Sequence, residues 1–144
     1  MSPLSQSHGA KFTRIMSLGA ARGDLVVSND EIAGPIDSSD EWIRQRTGII
    51  ERRRSSDTEH AIDLAVRASN EAIQSAGISP DEIGAVIVAT ISNVVQTPSL
   101  AALLADRVGA TPAAAYDISA ACAGYTYGIA QADALVRSGA AKYV

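Results

Sequence analysis

The chain has 144 residues, 47% of them hydrophobic and 19% charged, with a formal net charge of −4. This is the composition of a globular domain able to bury a core, and the sign of the charge argues against a nucleic-acid binder. A single cysteine excludes an intramolecular disulfide and a cysteine-based metal cluster, His8 and His60 are too few imidazoles for a zinc site, and no apolar stretch approaches the roughly 20 residues that span a bilayer.

Residues 1–11 form a polar leader without the apolar core of an export signal. It reads as a disordered tail, and the cytoplasm is the expected compartment. Residues 14–20 read as a first strand, and residues 25–27 as a short extended piece. Asn29 or Asp30 is placed to cap a short helix around Glu31, which Gly34-Pro35 ends. Ser38 and Glu41 have capping-box spacing at the start of a second helix, with Arg44 and Arg46 in its last turn and Gly48 as its stop. Residues 49–54 look extended.

Ile62, Ala65, Val66, Ser69, Ala72, Ile73 and Ala76 recur at helical spacing and predict a helix over 59–76 with one buried face. Residues 83–91 are almost continuously apolar and rich in β-branched side chains, which predicts a central strand covered on both faces. Thr97-Pro98 has the form of a cap followed by a first helical residue, for a helix that Gly109 closes. A buried strand over 113–118, a knot of small residues and a helix over 123–137 follow. Residues 141–144 read as the opening of another strand. Strands alternating with helices predict a mostly parallel sheet with helices on both faces. A chain that stops within such a strand is expected to be the first part of something longer.

Four features carry candidate chemistry. Cys122 falls at the turn from strand to helix, where free backbone N–H groups and the helix dipole favour a thiolate nucleophile. A lone cysteine among Ala and Gly is more usually a small buried hydrophobe, and on local features alone that is the plainer reading. Trp42 and Arg46 lie four apart on one helix face, spaced to clamp a flat ring such as a nucleobase; packed core and helix-dipole capping are the plainer alternative. Arg44, Arg46, Arg52, Arg53 and Arg54 are five of the chain's 12 basic residues. They make either a local anion-binding patch or a solvated extended segment. The loop Asn93 to Pro98 follows the strongest strand, a common position for ligand or subunit contacts and equally for an ordinary connector. Asp117 reads as a hydrogen-bonding residue that shapes the turn, and His60 as solvent-facing.

Taken together, three of these motifs resemble one family. Ile36-Asp37-Ser38-Ser39-Asp40-Glu41-Trp42-Ile43-Arg44-Gln45-Arg46-Thr47-Gly48-Ile49 is similar to the amino-terminal signature of 3-oxoacyl-[acyl-carrier-protein] synthase III. Asp117-Ile118-Ser119-Ala120-Ala121-Cys122-Ala123-Gly124-Tyr125 resembles its active-site cysteine segment, and Gln96-Thr97-Pro98 falls at a fitting distance between them.

The resemblance implies an α/β, thiolase-like fold of αβαβα layers, with residues 12–144 as its amino-terminal half. It implies that Cys122 takes a short acyl group from coenzyme A as a thioester and passes it to malonyl-acyl carrier protein with loss of carbon dioxide. Trp42 and Arg46 would stack on the adenine of coenzyme A with Ser38 nearby. Thr97 would lie at the interface of a homodimer and reach the partner's acyl pocket, its small size suggesting room for a primer longer than acetyl. No cofactor, metal, nucleic acid or membrane is implied, coenzyme A being substrate.

The family's His and Asn of the second half have no counterpart in these residues, so the 144-residue chain alone is expected to be poorly stable and not to condense malonyl groups. The other readings are an acyl-CoA-primed synthase of secondary metabolism, a non-catalytic dimerisation or carrier-binding chain, and a cysteine hydrolase, which would need a His base within reach.

Overall fold

The computed structural model describes residues 9–144, so most of the expected disordered leader lies outside the described residues. The chain divides into two compact units. One comprises Ala21–Leu64; the other comprises residues 9–20 and Ala65–Val144.

In the unit of Ala21–Leu64, strand β1 (Leu25–Ser28) pairs antiparallel with β2 (Glu51–Arg54), Leu25 opposite Arg54 and Ser28 opposite Glu51. Helices α1 (Asn29–Ala33) and α2 (Asp40–Thr47) lie between them in sequence, joined by a 3₁₀ turn over Gly34–Ile36. Val27, Ala33 and Ile43 form the buried apolar core. The cap of α1 is Ser28 rather than Asn29 or Asp30. Its hydroxyl and amide engage Glu31 in a reciprocal capping box. Hydrogen bonds from Ser28 hold the Glu31 carboxyl below its usual pKa. α2 is capped by Ser39, whose Oγ accepts from the Trp42 amide at 3.1 Å, not by Ser38. Gly48, at φ 72, ends α2 where expected.

Helix α3 (Ala61–Ala76) begins two residues later than its periodicity suggests, and none of its residues is fully buried. In the second unit, β3 (Ala85–Ala89) and β4 (Ala114–Ile118) are parallel neighbours, Ala85 opposite Ala114 and Ala89 opposite Ile118. Helix α4 (Leu100–Val108) connects them and buries Leu100, Ala101, Leu104, Ala105 and Val108. β3 is shorter than the apolar run that encodes it, and its middle is half-buried rather than closed on both faces. Helix α5 (Gly124–Ser138) follows β4 through a 3₁₀ turn, and the expected last strand is reduced to a parallel bridge between Ile83 and Tyr143. Parallel pairing is thus confined to this unit; β1 and β2 are an antiparallel pair that the alternation of elements did not announce.

Residues 14–20 form no strand. They are held to the helices by single contacts instead of a ladder: Ser17 Oγ donates to the Ala72 carbonyl at 2.7 Å and the Ala20 amide to Glu71 at 2.8 Å, while Thr13 Oγ1 donates to Asp133 at 2.6 Å. An apolar hollow of about 740 Å³ remains between this segment and the rest of the unit, bordered by Ile15, Met16, Ile73, Ile87, Leu104 and Tyr125. Close approach to α3 depends on Gly19, where a Cβ would strike the Ala68 carbonyl and the Ala72 amide. Both obstacles are backbone and neither can turn aside. Gly19→Ala is therefore expected to destabilise the chain by about 2 kcal/mol, as an overpacked site does, read as a lowered thermal midpoint.

Candidate active site

Asp117, late in β4, uses both carboxylate oxygens on the first turn of α4. Oδ2 accepts from the Leu100 amide and Oδ1 from the Ala101 amide, each at 2.8 Å. Ser99 Oγ takes the Ala102 amide at 3.1 Å and is the cap of the helix. Thr97 is therefore not the cap, and Pro98, behind a cis peptide bond, stands outside the helix. The sequence reading of Asp117 as a hydrogen-bonding residue holds, but it fixes the start of α4 more directly than the turn after β4.

That turn carries Cys122 in a 3₁₀ segment over Ala121–Ala123. Ala121, the residue before it, adopts φ 45, a left-handed conformation that costs an alanine about 1 kcal/mol or more. The strained step helps turn the chain from β4 into α5 within the five residues 119–123. Cys122 is consequently exposed and not the buried hydrophobe of the alternative reading. α5 has no side-chain cap at Ala123; backbone carbonyls serve its start instead, the Ala123 amide donating to the Ala120 carbonyl and the Gly124 amide to the Ala121 carbonyl, so these two amides are not the free donors that the sequence suggested. Gly124 is buried where a Cβ would come within 3.1 Å of the Ala89 side chain, which lets the start of α5 settle on the end of β3. An exposed thiol on a strained strand-to-helix turn, with small neighbours, suits attack on an acyl carbonyl.

Thr97 lies on the same unit as Cys122 and is exposed. The loop before it is apolar and open to solvent, with Val94 92% and Ile91 66% exposed.

Trp42, Arg46 and Ser38 belong to the other unit. Trp42 is 53% exposed, so the packed-core alternative fails for it. The Arg46 guanidinium carbon lies 5.5 Å from the indole centroid, in cation–π range. A ring can enter between them only if the exposed Arg46 side chain swings outward. The Ser38 Oγ is buried with no hydrogen-bond partner in the structure. Ser38 and Trp42 border an open hollow of about 540 Å³ with Ile36, Asp37 and Ser39. Buried hydroxyls are rarely left unpaired.

The arginine patch does not act as one surface. Arg44 pairs with Asp40 at 2.7 Å, Arg52 donates to Asn29 at 2.6 Å and to the Ser28 carbonyl at 3.2 Å, and Arg53 lies 3.9 Å from Glu51. Asn29, which the sequence offers as a cap, is instead a buried junction of this network. Nothing in its local motif distinguishes the two roles.

Residues 44–144 match the family described as thiolase, N-terminal domain. The chain belongs to the thiolase family. It is 52% identical over 139 residues to the beta-ketoacyl-[acyl-carrier-protein] synthase III of Kocuria rhizophila, covering 96% of this chain and 39% of that protein. With the protein of the same name from Tropheryma whipplei it shares 49% over 132 residues, 92% of this chain and 41% of the other.

Among solved structures, the priming beta-ketosynthase of the R1128 polyketide biosynthetic pathway matches with a TM-score of 0.89 at 39% identity, over 96% of this chain and 42% of that one. The 3-oxoacyl-[acyl-carrier-protein] synthase III of Aquifex aeolicus matches with a TM-score of 0.82 at 38% identity, over 90% and 42%. The fold is thus the thiolase-type α/β arrangement expected from the sequence. The thiolase-family chain spans about two fifths of the length of the relatives it matches. Among the described residues, no helix is long and apolar enough to cross a membrane.

Proposed function

We propose that this chain carries the nucleophile and the nucleotide clamp of a cytoplasmic 3-oxoacyl-[acyl-carrier-protein] synthase III, which starts fatty acid synthesis. The observation that carries the reading is the exposed Cys122 on its strained turn, immediately before α5. In this reaction the Cys122 sulfur attacks the carbonyl carbon of a short acyl-coenzyme A. A new carbon–sulfur bond forms, the old one breaks, and coenzyme A leaves as the thiol. Malonyl-acyl carrier protein then loses carbon dioxide, its carbanion attacks the acyl-Cys122 carbonyl, and the 3-oxoacyl carrier protein departs as the Cys122 sulfur is released. Coenzyme A is a substrate here, and the chemistry calls for no resident cofactor.

Trp42 and Arg46 take the adenine ring and Ser38 supplies its unpaired hydroxyl to the nucleotide. Stacking on Trp42 contributes about 1–2 kcal/mol. Trp42→Ala is accordingly expected to raise the Kd for coenzyme A roughly tenfold, measured by titration calorimetry. Thr97 lies at a homodimer interface and borders the partner's acyl pocket. The exposed Val94 and Ile91 of its loop support that assignment, since apolar side chains of this size favour burial. The 144 residues alone are expected not to condense malonyl groups, because the His and Asn that stabilise the carbanion have no counterpart among them.

A related synthase of secondary metabolism is the second reading, favoured by the similarity to the R1128 priming ketosynthase. Both readings share the first half-reaction. Incubation with acetyl-coenzyme A followed by denaturation and intact-mass measurement is expected to give one acetyl adduct, located on Cys122. A chain that stays unmodified, while its thiol still reacts with iodoacetamide, would contradict the acyl-transfer reading.

A further inference from the structure

Asn29 is buried to 1% exposure, the most enclosed polar side chain among the described residues. Its Nδ2 donates to Asp40 Oδ1 at 2.7 Å and to the Ile49 carbonyl at 2.8 Å, and its Oδ1 accepts from Arg52 at 2.6 Å. Both amide hydrogens and the carbonyl are used. Asp40 is the first residue of α2, and Ile49 is the second residue beyond its last. One side chain therefore grips the entry and the exit of the helix that carries Trp42 and Arg46.

α2 needs this grip. It has eight residues, too few to persist in water unaided, and Ile43 is the only one of them that is buried. Its exposed Trp42 and Arg46 are the residues a nucleotide would meet, so tertiary contact along the helix is scarce where binding requires rigidity. A clamp that must be ordered on binding loses affinity by the ordering cost, whereas a preformed one does not. The Asp40 carboxyl is held below its usual pKa, first by the Arg44 guanidinium and then by the Asn29 amide, and so presents Asn29 with an anionic acceptor.

We propose that Asn29 is a positioning residue for nucleotide recognition, pinning both ends of α2 so that the helix backbone bearing Trp42 and Arg46 is already ordered when the adenine ring arrives and only the Arg46 side chain has to swing outward. The proposal rests on the reading of Trp42 and Arg46 as the adenine clamp.

The test is calorimetric titration of the chain and its variants with coenzyme A, beside the rate of Cys122 alkylation by iodoacetamide. Asn29→Ala is expected to raise Kd about tenfold, the cost of ordering a loosened clamp, with the alkylation rate unchanged. Asn29→Asp keeps an acceptor for Arg52 but removes both donors and sets a carboxylate against Asp40. It should bind as weakly as the alanine variant. Adding Asp40→Asn to Asn29→Asp reverses the donor and acceptor of the hydrogen bond at the start of α2 but leaves the Ile49 carbonyl without its donor, and is expected to recover only part of the lost affinity.

A purely structural role would lower binding and alter alkylation together and would gain nothing from the reversed pair; that result overturns the proposal. So does an unchanged Kd for Asn29→Ala when Trp42→Ala binds weakly, which leaves the clamp reading intact. If Trp42→Ala also binds normally, the clamp reading falls and the proposal with it. Should either single Asn29 variant fail to fold, the reversed pair decides by whether it binds.

Discussion

Replacing Cys122 by serine is expected to cut acyl transfer from acetyl-coenzyme A by at least about 10⁴-fold, the scale on which loss of an enzyme's nucleophile is felt. The substitution preserves size and the turn, so the argument is chemical. A thiol delivers a strongly nucleophilic sulfur with little help, whereas a hydroxyl needs a base to take its proton. Among the described residues His60 is the only imidazole, and it is an exposed residue of the unit that carries β1 and β2. Among the described residues, a serine at the turn therefore has no imidazole partner of its own unit to activate it. Because Cys122 is exposed, its exchange opens no cavity and the melting midpoint should not move. The measurement is the initial rate of thioester formation, followed by intact mass. A Cys122→Ser chain that still acquires acyl groups at the original rate would place the nucleophile elsewhere.

The elements that sequence revealed are those whose signal is local. The apolar, β-branched run around Val86, Ile87 and Val88 became β3, and Gly48 and Gly109 stop their helices in the left-handed conformation that only glycine adopts without penalty. The starts of α1, α2 and α4 were missed by one or two residues, and for one reason. At Ser28-Asn29, Ser38-Ser39 and Thr97-Pro98-Ser99, two oxygen-bearing residues stand close together, each able to cap. The choice falls to whichever takes an extended backbone next to the first helical turn, as Ser28, Ser39 and Ser99 do. Composition holds no record of that choice.

The parallel pairing of β3 with β4 was foreseen, but the antiparallel pairing of β1 with β2 was not. Residues 14–20 have the apolar pattern of a strand, but a strand exists only with a ladder partner. Here single side chains tie the segment to Ala72, Glu71 and Asp133 instead. The arginines are adjacent in sequence, yet Arg44 and Arg52 turn to Asp40 and Asn29, so the charge they add to the surface is largely answered from below. For the candidate site, Cys122 was legible because strand, small residues and helix follow one another directly. The Trp42–Arg46 pair was legible as a spacing but not as a contact, and the solvent exposure that separates a clamp from a core residue came only with the fold.

Asp117→Ala is expected to destabilise the chain by about 3–5 kcal/mol, since each hydrogen bond to a charged group contributes about 1.5–3 kcal/mol. The first three amides of α4 are all satisfied from outside the helix ladder, two of them by this carboxylate and the third by Ser99. The negative charge also sits against the positive end of the helix. α4 is the most deeply buried helix of its unit, with Leu100, Ala101, Leu104, Ala105 and Val108 enclosed, so water cannot readily replace the lost acceptor. Asparagine offers one carbonyl oxygen where aspartate offers two charged ones, and Asp117→Asn should lose about half as much. Urea unfolding followed by circular dichroism measures both. The consequence reaches the chemistry through connectivity: Thr97 lies three residues before Leu100, and Cys122 lies five residues after Asp117. The carboxylate therefore joins the loop proposed to border the acyl pocket to the strand that leads to the proposed nucleophile. An alanine variant as stable as the original would mean that β4 and α4 are held by apolar packing alone, and would remove that link between the loop and the turn.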